Sequence, residues 1–188
     1  MKLPFTLPIE TERLILRSAE PGDTDALLTY HGDSEICRYL PYEPRGRDEV
    51  EKSMQRRLGF TEFKEDAEPF FLHVILKETG ELIGDFVLFC RNDEAKQGEI
   101  GYVFSKKFQR KGYALEAAKK VMEIGFDGFD CHRIEAKCSA ANVPSWKLME
   151  KLGMRREALF IENEIFKGEW DDLMIYAVLQ REWHEREA

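Results

Sequence analysis

Residues Gln109, Arg110, Lys111, Gly112, Tyr113 and Ala114 set two cations and two small residues between an apolar run and a helical pattern. That spacing points to anion chemistry. A strand that feeds a loop and then a helix brings several unpaired main-chain N–H groups to one point, and the aligned peptide dipoles favour negative charge there. Gly112 lets a ligand's oxygens approach the main chain, Ala114 keeps the first helical turn slim, and Lys106, Lys107, Arg110 and Lys111 add positive charge. The expected ligand is a phosphate or pyrophosphate. A glycine ahead of a helix with cations around it also occurs as a plain solvated loop. Neither the glycine-rich loop that ends in Gly-Lys-Ser/Thr nor the GxGxxG dinucleotide pattern is present.

Asn142 and Ser145 stand three apart where a helix begins, so their local reading is capping. Cys37, Cys90, Cys131 and Cys138 show no CxxC spacing and read as small buried hydrophobes in a reducing compartment. With four scattered histidines they make no metal motif, and no metal is expected.

The elements that position these residues follow from periodicity. "RLILRS" after Thr11 alternates as a strand; "PGDTDALLTYHGD" reads as a helix with Asp23 as cap and Gly32 as stop. A second helix starts near Arg47 and runs through "DEVEKSMQRRLGF", after the irregular "YLPYEPRG". "PFFLHVILKETGELIGDFVLFCR" is a hairpin turning at Gly80, "NDEAKQG" a polar turn, and "EIGYVF" a strand. Residues 112 to 126 form a helix with Ala114, Ala118, Val121, Met122 and Gly125 on one stripe; "RIEAKC" is a half-buried strand. Another helix spans Val143 to Leu152, with Trp146, Met149 and Leu152 as core. From Arg155 to Leu179 two strands flank "KGEWDD", whose Asp171 and Asp172 read as turn caps or acceptor contacts. The result is a mixed α/β sheet.

The chain of 188 residues, 43% hydrophobic, suffices for one core, so residues 1–188 read as a single domain. With 28 Lys and Arg against 36 Asp and Glu, the net charge of -8 disfavours a nucleic-acid partner and suits a cationic substrate better. No signal-like apolar region opens the sequence and no long apolar window follows, so a membrane is not expected and the expected location is cytoplasmic.

The run from Gln109 to Ala114 resembles the acyl-coenzyme A pyrophosphate loop of the GCN5-related N-acetyltransferase (GNAT) superfamily. "TERLILR", "EIGYVF", "NVPSWKLMEKLGM" and "KGEWDDLMIYAVL" resemble, in order, the subfamily that acetylates N-termini of ribosomal proteins, over about Ile9 to Trp183. The resemblance implies a GNAT fold: a mixed, mostly antiparallel sheet of roughly seven strands with a splayed central parallel pair, flanked by about four helices. The splayed pair is residues 99–104 and 132–138.

The resemblance also implies roles. Acetyl-CoA is the co-substrate, held by residues 109 to 114 and by main-chain groups of Tyr102, Val103 and Phe104, which pair with the pantetheine arm and polarise the thioester carbonyl. Asn142 would bond the pantetheine, and Ser145 would pass a proton to the departing thiolate. N-terminal and lysine amines, with pKa values near 8 and 10.4, are mostly protonated at neutral pH, so a base must act. Glu164 is favoured for it and Glu99 is the competitor. Tyr176 and Tyr113 are further hydroxyls, Tyr176 being an alternative acid. Arg38, Tyr39, Tyr42 and Phe63 are candidates to line an acceptor groove. The implied activity is acetyl transfer to a primary amine, foremost a protein N-terminus. The alternatives are a small-molecule amine such as a polyamine, amino acid or aminoglycoside, a non-catalytic acyl-CoA sensor, and a generic phosphate-binding module. Homodimers are frequent in that subfamily.

Overall fold

Apolar runs such as "PFFLHVIL" alternate only weakly, which suits strands covered by helices on both faces. The computed structural model describes residues 5–58, 69–90 and 94–187. In chain order it forms β1 (Ile9–Glu10), β2 (Leu14–Arg17), α1 (Thr24–His31), α2 (Ser34–Cys37), α3 (Arg47–Leu58), β3 (Pro69–Leu76), β4 (Leu82–Cys90) and β5 (Gln97–Phe104). Then follow α4 (Tyr113–Glu123), β6 (Arg133–Ser139), α5 (Val143–Lys151), β7 (Arg155–Phe166), β8 (Glu169–Leu179) and α6 (Gln180–Glu187).

The strands make one eight-stranded sheet in the order β1-β2-β3-β4-β5-β6-β8-β7. Among the described strands only β5 and β6 run parallel. On one face Leu72, Phe86, Ile100 and Ile134 pack with Ala117, Ala118, Val121 and Met122 of α4 and with Trp183 of α6. On the other, Ile75 and Leu82 pack with Leu27 and Tyr30 of α1 and Val50 and Met54 of α3.

The parallel pair splits. β5 and β6 are in register only at Gln97–Arg133, Gly98–Ile134 and Glu99–Glu135. Beyond Glu99, β5 stays with β4 as far as Phe104, while β6 stays with β8 as far as Ser139 opposite Leu173. Main-chain groups that β5 turns away from β4 between Ile100 and Phe104 therefore have no strand beside them among the described residues.

On the α1 and α3 face a buried polar chain joins five elements. Arg17 Nη1 and Nη2 donate to Asp23 at 2.8 and 2.7 Å, and His73 Nδ1 lies 2.7 Å from Asp23 Oδ2. His73 Nε2 is 3.1 Å from Arg57 Nη1, which is 3.3 Å from Asp85 Oδ1. Tyr30 Oη donates to Asp85 Oδ2 at 2.8 Å, His31 Nε2 lies 2.8 Å from the same oxygen, and His31 Nδ1 is 2.7 Å from Tyr42 Oη. Burial alone would raise the Asp85 pKa, but the charges of Arg57 and His31 outweigh it and hold the carboxyl far below the carboxylate range.

Several elements differ from the sequence reading. β1, α2 and α6 were not expected: β1 and α2 have two and four residues, and α6 is almost wholly polar, anchored by Trp183. α4 ends at Glu123 and continues as a π-turn from Ile124 to Gly128. Asp23 does not cap α1; its carboxylate turns back to the Glu20 N–H, Arg17 and His73. The last two strands are joined by Lys167 and Gly168 alone, with φ of 52° and 89°, so a two-residue hairpin turn replaces the longer separator. Asp171 and Asp172 consequently lie inside β8.

Candidate active site

The loop ahead of α4 is built by left-handed residues. Arg110 has φ 61° and Gly112 φ 84°, and Gly112 is the N-cap of α4 with no capping side chain. The first-turn amides of α4 are thus left to a ligand. A side chain at Gly112 would be strained by that φ and would meet Arg13 at 3.3 Å. Arg13, the residue before β2, clamps the loop: Nη1 donates to Lys111 O at 3.2 Å, Nε to Glu116 Oε2 at 2.7 Å, and the guanidinium lies 4.7 Å from the Tyr113 ring centre. Thr11 Oγ1 and the Arg13 N–H bind the other Glu116 oxygen at 2.6 and 2.8 Å. Burial would raise the Glu116 pKa, but these bonds together hold it below the ordinary glutamate value.

The cations divide. Arg110 and Lys111 are exposed at the loop. Lys106 pairs with Glu35, and Lys107 Nζ lies 2.6 Å from Glu81, so these two face carboxylates of other elements rather than surrounding the loop as expected. Gln109 Nε2 donates to Phe104 O at 2.9 Å and ties the loop to the end of β5. Ala114 is half-buried in the first turn.

At the split, three polar side chains meet. Tyr102 Oη is 3.0 Å from Ser145 Oγ and donates to Ser145 O at 3.1 Å, while Asn142 Oδ1 accepts from the Ser145 N–H at 3.4 Å. Burial pushes the Tyr102 phenol up, so it is protonated and able to donate. Cys138 of β6 lies beside Ser145, and burial pushes its thiol up to about 11, which makes it a poor nucleophile. Phe104 is buried and Val103 half-buried on β5, the latter packing with the α1 and α3 cluster.

Glu99 lies on β5 with its carboxylate 2.9 Å from Lys137 Nζ, which also reaches Glu135 at 2.9 Å. Glu164 is exposed on β7, opposite Asp171. Between Phe160 and Glu164 the register slips: Ile161, Glu162 and Asn163 face Asp172 alone, whose Oδ1 accepts from the Glu162 N–H at 2.8 Å. That bulge sets where Glu164 points. Tyr176 is buried on β8 and donates to Glu150 Oε1 at 3.2 Å; burial, then the Glu150 charge, raises its pKa. Arg38 is exposed and stacks 5.2 Å from the Tyr39 ring centre, whereas Tyr42 turns inward to His31. Phe63 lies outside the described residues.

Three features were missed in the sequence. The Tyr102 side chain joins its main chain at the site, Cys138 abuts Ser145, and Lys167 Nζ donates to Cys37 O and Tyr42 O at 2.8 Å each. Lys167 thereby fastens the β7–β8 hairpin to the loop after α2. Its position in "KGEW" signals a turn but not a partner more than a hundred residues away.

The loop fits an acyl-CoA pyrophosphate by its free first-turn amides and cations, and the split fits an extended arm. No grouping of three or more His, Cys, Asp or Glu able to hold a metal occurs among the described residues, and no described helix is long and apolar enough to cross a membrane.

Residues 13–155 match the acetyltransferase (GNAT) domain family. The chain is 38% identical over 177 residues to "Uncharacterized N-acetyltransferase YnaD" of Bacillus subtilis (strain 168), covering 94% of this chain and 99% of that one. It is 27% identical over 182 residues to the [Ribosomal protein uS5]-alanine N-acetyltransferase of Escherichia coli (strain K12), covering 93% and 92%. The crystal structure of a GNAT-family acetyltransferase from Bacillus anthracis superposes with TM-score 0.83 at 34% identity, covering 94% and 100%. A spermidine N-acetyltransferase from Vibrio cholerae, in complex with CoA and spermine, superposes with TM-score 0.78 at 21% identity, covering 93% and 99%.

Proposed function

This chain belongs to the GNAT acetyltransferase family, and on that premise we propose that its acceptor is a primary amine, foremost the α-amine of a protein N-terminus. Acetyl-CoA-dependent N-acetyl transfer is the coarse activity; the acceptor is the proposal. The observation that carries the reading is the split between β5 and β6, with the loop of Gly112 near one end and the Tyr102–Ser145 pair against it. The ribosomal-protein acceptor is supported by the likeness to the E. coli enzyme, which spans nearly the whole chain.

Acetyl-CoA would supply an activated acetyl group. The amides of Tyr113 and Ala114, with Gln109, Arg110, Lys111 and Gly112, are assigned to its pyrophosphate. Main-chain groups of Tyr102, Val103 and Phe104 are assigned to the pantetheine arm and the thioester carbonyl, where fixed donors act without reorganising. Asn142 already accepts from the Ser145 N–H, which leaves its amide NH₂ as donor toward the arm. Ser145, backed by Tyr102, is the proposed proton donor, with Tyr176 as the alternative. Glu164 is the proposed base, directly or through a water; Glu99 is second because Lys137 engages its carboxylate.

Initial rates of thiol release with an unblocked N-terminal peptide, its N-blocked lysine-containing counterpart and spermidine test the acceptor. The reading expects the unblocked peptide to lead. A lead by spermidine would assign a small-molecule amine, and release with none of the three would favour a sensor.

A further inference from the structure

The contacts around the split between β5 and β6 form a closed frame. Its narrow end is the last pair in register, Glu99 and Glu135. One side runs along β5 past Phe104 to Lys106, whose ammonium pairs with Glu35 of α2. The other side runs along β6 to Ser139, whose Oγ donates to Asp171 Oδ1 at 2.6 Å, and then back along β8 to the hairpin tip at Lys167. At the rise of an extended strand each side is about 25 Å long. α2 and the loop after it span the wide end: Lys167 Nζ donates to Cys37 O and Tyr42 O at 2.8 Å each and lies 3.5 Å from Glu43 Oε1. α2 is held on the β5 side a second time, since Cys37 Sγ lies 3.1 Å from His31 O, and His31 Nε2 lies 2.8 Å from Asp85 of β4.

The two faces of this frame differ. Ile100 and Phe104 of β5 and Tyr176 and Val178 of β8 join the cluster of α4, whose N-terminus carries the Gly112 loop. By strand alternation Glu99 and Val103 look to the other face, and so do Asp171 and Glu164, which stand opposite each other. Val103 and Ile36 of α2 both pack with the α1 and α3 cluster, so α2 lies on that same face. Both candidate bases, Glu99 and Glu164, therefore share a face with the bridge made by Lys167, while the cofactor loop belongs to the opposite one.

We propose that Lys167 is a positioning residue for the acceptor amine: by closing the wide end of the frame it sets the spacing between α2 and the hairpin, and with it the opening through which the amine reaches the acetyl group. This rests on the amine-acetylation reading. A lysine suits the task because its ammonium has three donors on a flexible stem and can serve two carbonyls at once. The side chain is only 23% exposed, so water competes weakly for those bonds. Glu164 does not depend on Lys167 for its place, since the pairs Glu164–Asp171, Ile165–Trp170 and Phe166–Glu169 hold it in the ladder and Asp171 is tied to Ser139. Loss of the bridge therefore loosens acceptor binding and leaves the chemical step in place.

The test measures kcat and amine KM separately in the wild type, Lys167→Met, Lys167→Arg and Glu35→Gln, with acetyl-CoA affinity by calorimetry on each. The amine is whichever of the unblocked peptide, its N-blocked lysine-containing counterpart and spermidine the wild type turns over fastest. Lys167→Met keeps the stem and removes the donors; its amine KM should rise about tenfold, the size of one hydrogen bond from a charged group, with kcat within about twofold and acetyl-CoA affinity at the wild-type value. Lys167→Arg, which can still donate to both carbonyls, should restore most of the loss. Glu35→Gln loosens the opposite, exposed clasp and should raise the amine KM by a smaller factor. An unchanged amine KM in Lys167→Met overturns the inference and leaves the acetyltransferase reading intact. A parallel fall of kcat and acetyl-CoA affinity, with no recovery in Lys167→Arg, also overturns it, because Lys167 then serves the fold alone. Absence of thiol release by the wild type with all three amines overturns both.

Discussion

The Tyr102 hydroxyl of β5 stands 3.0 Å from the Ser145 hydroxyl of α5, linking the two sides of the split. The single Tyr102 proton serves either the Ser145 hydroxyl or the Ser145 carbonyl, also within reach at 3.1 Å, so the two hydroxyls act as a coupled pair. Ser145→Ala should lower kcat by about 100-fold, the range of general acid catalysis, with acetyl-CoA affinity little changed. Tyr102→Phe should lower it less, and the double variant should lose less than the product of the two. Losses that multiply would mean that the hydroxyls act independently.

Gly112 and Arg13 are predicted to govern cofactor affinity. Gly112→Glu puts a side chain at φ 84° and a carboxylate among the α4 amides, and strain alone costs about 1–3 kcal/mol. Acetyl-CoA affinity should fall about 100-fold or more by calorimetry, since each tenfold is 1.4 kcal/mol. Arg13→Ala releases Lys111 O and Glu116, and a smaller loss, about tenfold, is expected. Equal binding of ATP and acetyl-CoA by the wild type would contradict the assignment of this loop.

For the base, Glu164→Gln is expected to reduce kcat/KM by about 100-fold with normal acetyl-CoA binding. Glu99→Gln should have a smaller effect, because its carboxylate already accepts from Lys137 at 2.9 Å. Full turnover by Glu164→Gln would remove Glu164 from the role, and a large loss in Glu99→Gln would assign it there.

Stability should carry the signature of the buried carboxylates. Asp85 and Asp23 have folded pKa values below their unfolded value, near 3.9 for an aspartate. Their stabilisation is therefore present above about pH 4 and is lost as pH falls through that value toward the folded pKa. Asp85→Ala leaves Arg57, His31 and Tyr30 without their partner and should destabilise the protein by about 3–5 kcal/mol at pH 7. Urea unfolding against pH should show this gap narrowing below pH 4; a constant gap would mean that Asp85 is not ionised in the folded protein.

Local patterns were legible where the signal is short range. Strands β2 to β8, the helices from Thr24, Arg47, Tyr113 and Val143, and the loop ending at Gly112 all follow from periodicity and punctuation within a few residues. The divergence of β5 from β6 came through family resemblance, since nothing in "EIGYVF" or "RIEAKC" states where their pairing stops. What stayed hidden depends on partners distant in sequence. Arg13 meets Glu116, Lys167 meets Tyr42, and His31 meets Asp85, each across fifty residues or more. The same reason misplaced Lys106 and Lys107, whose neighbours in sequence suggested the loop while their carboxylate partners lie on α2 and in the turn just before β4. Asp23 read as a cap because a cap is local, whereas its bond to His73 spans the helical face of the sheet.

The central claim is that the split sheet serves acetyl transfer to an amine, and amine-dependent thiol release from acetyl-CoA tests it most directly. The account predicts release that saturates with an N-terminal peptide, yields one acetylated peptide per thiol, and is lost in Gly112→Glu. Acetyl-CoA binding with no thiol release at any amine concentration would contradict it and leave a binding domain in its place.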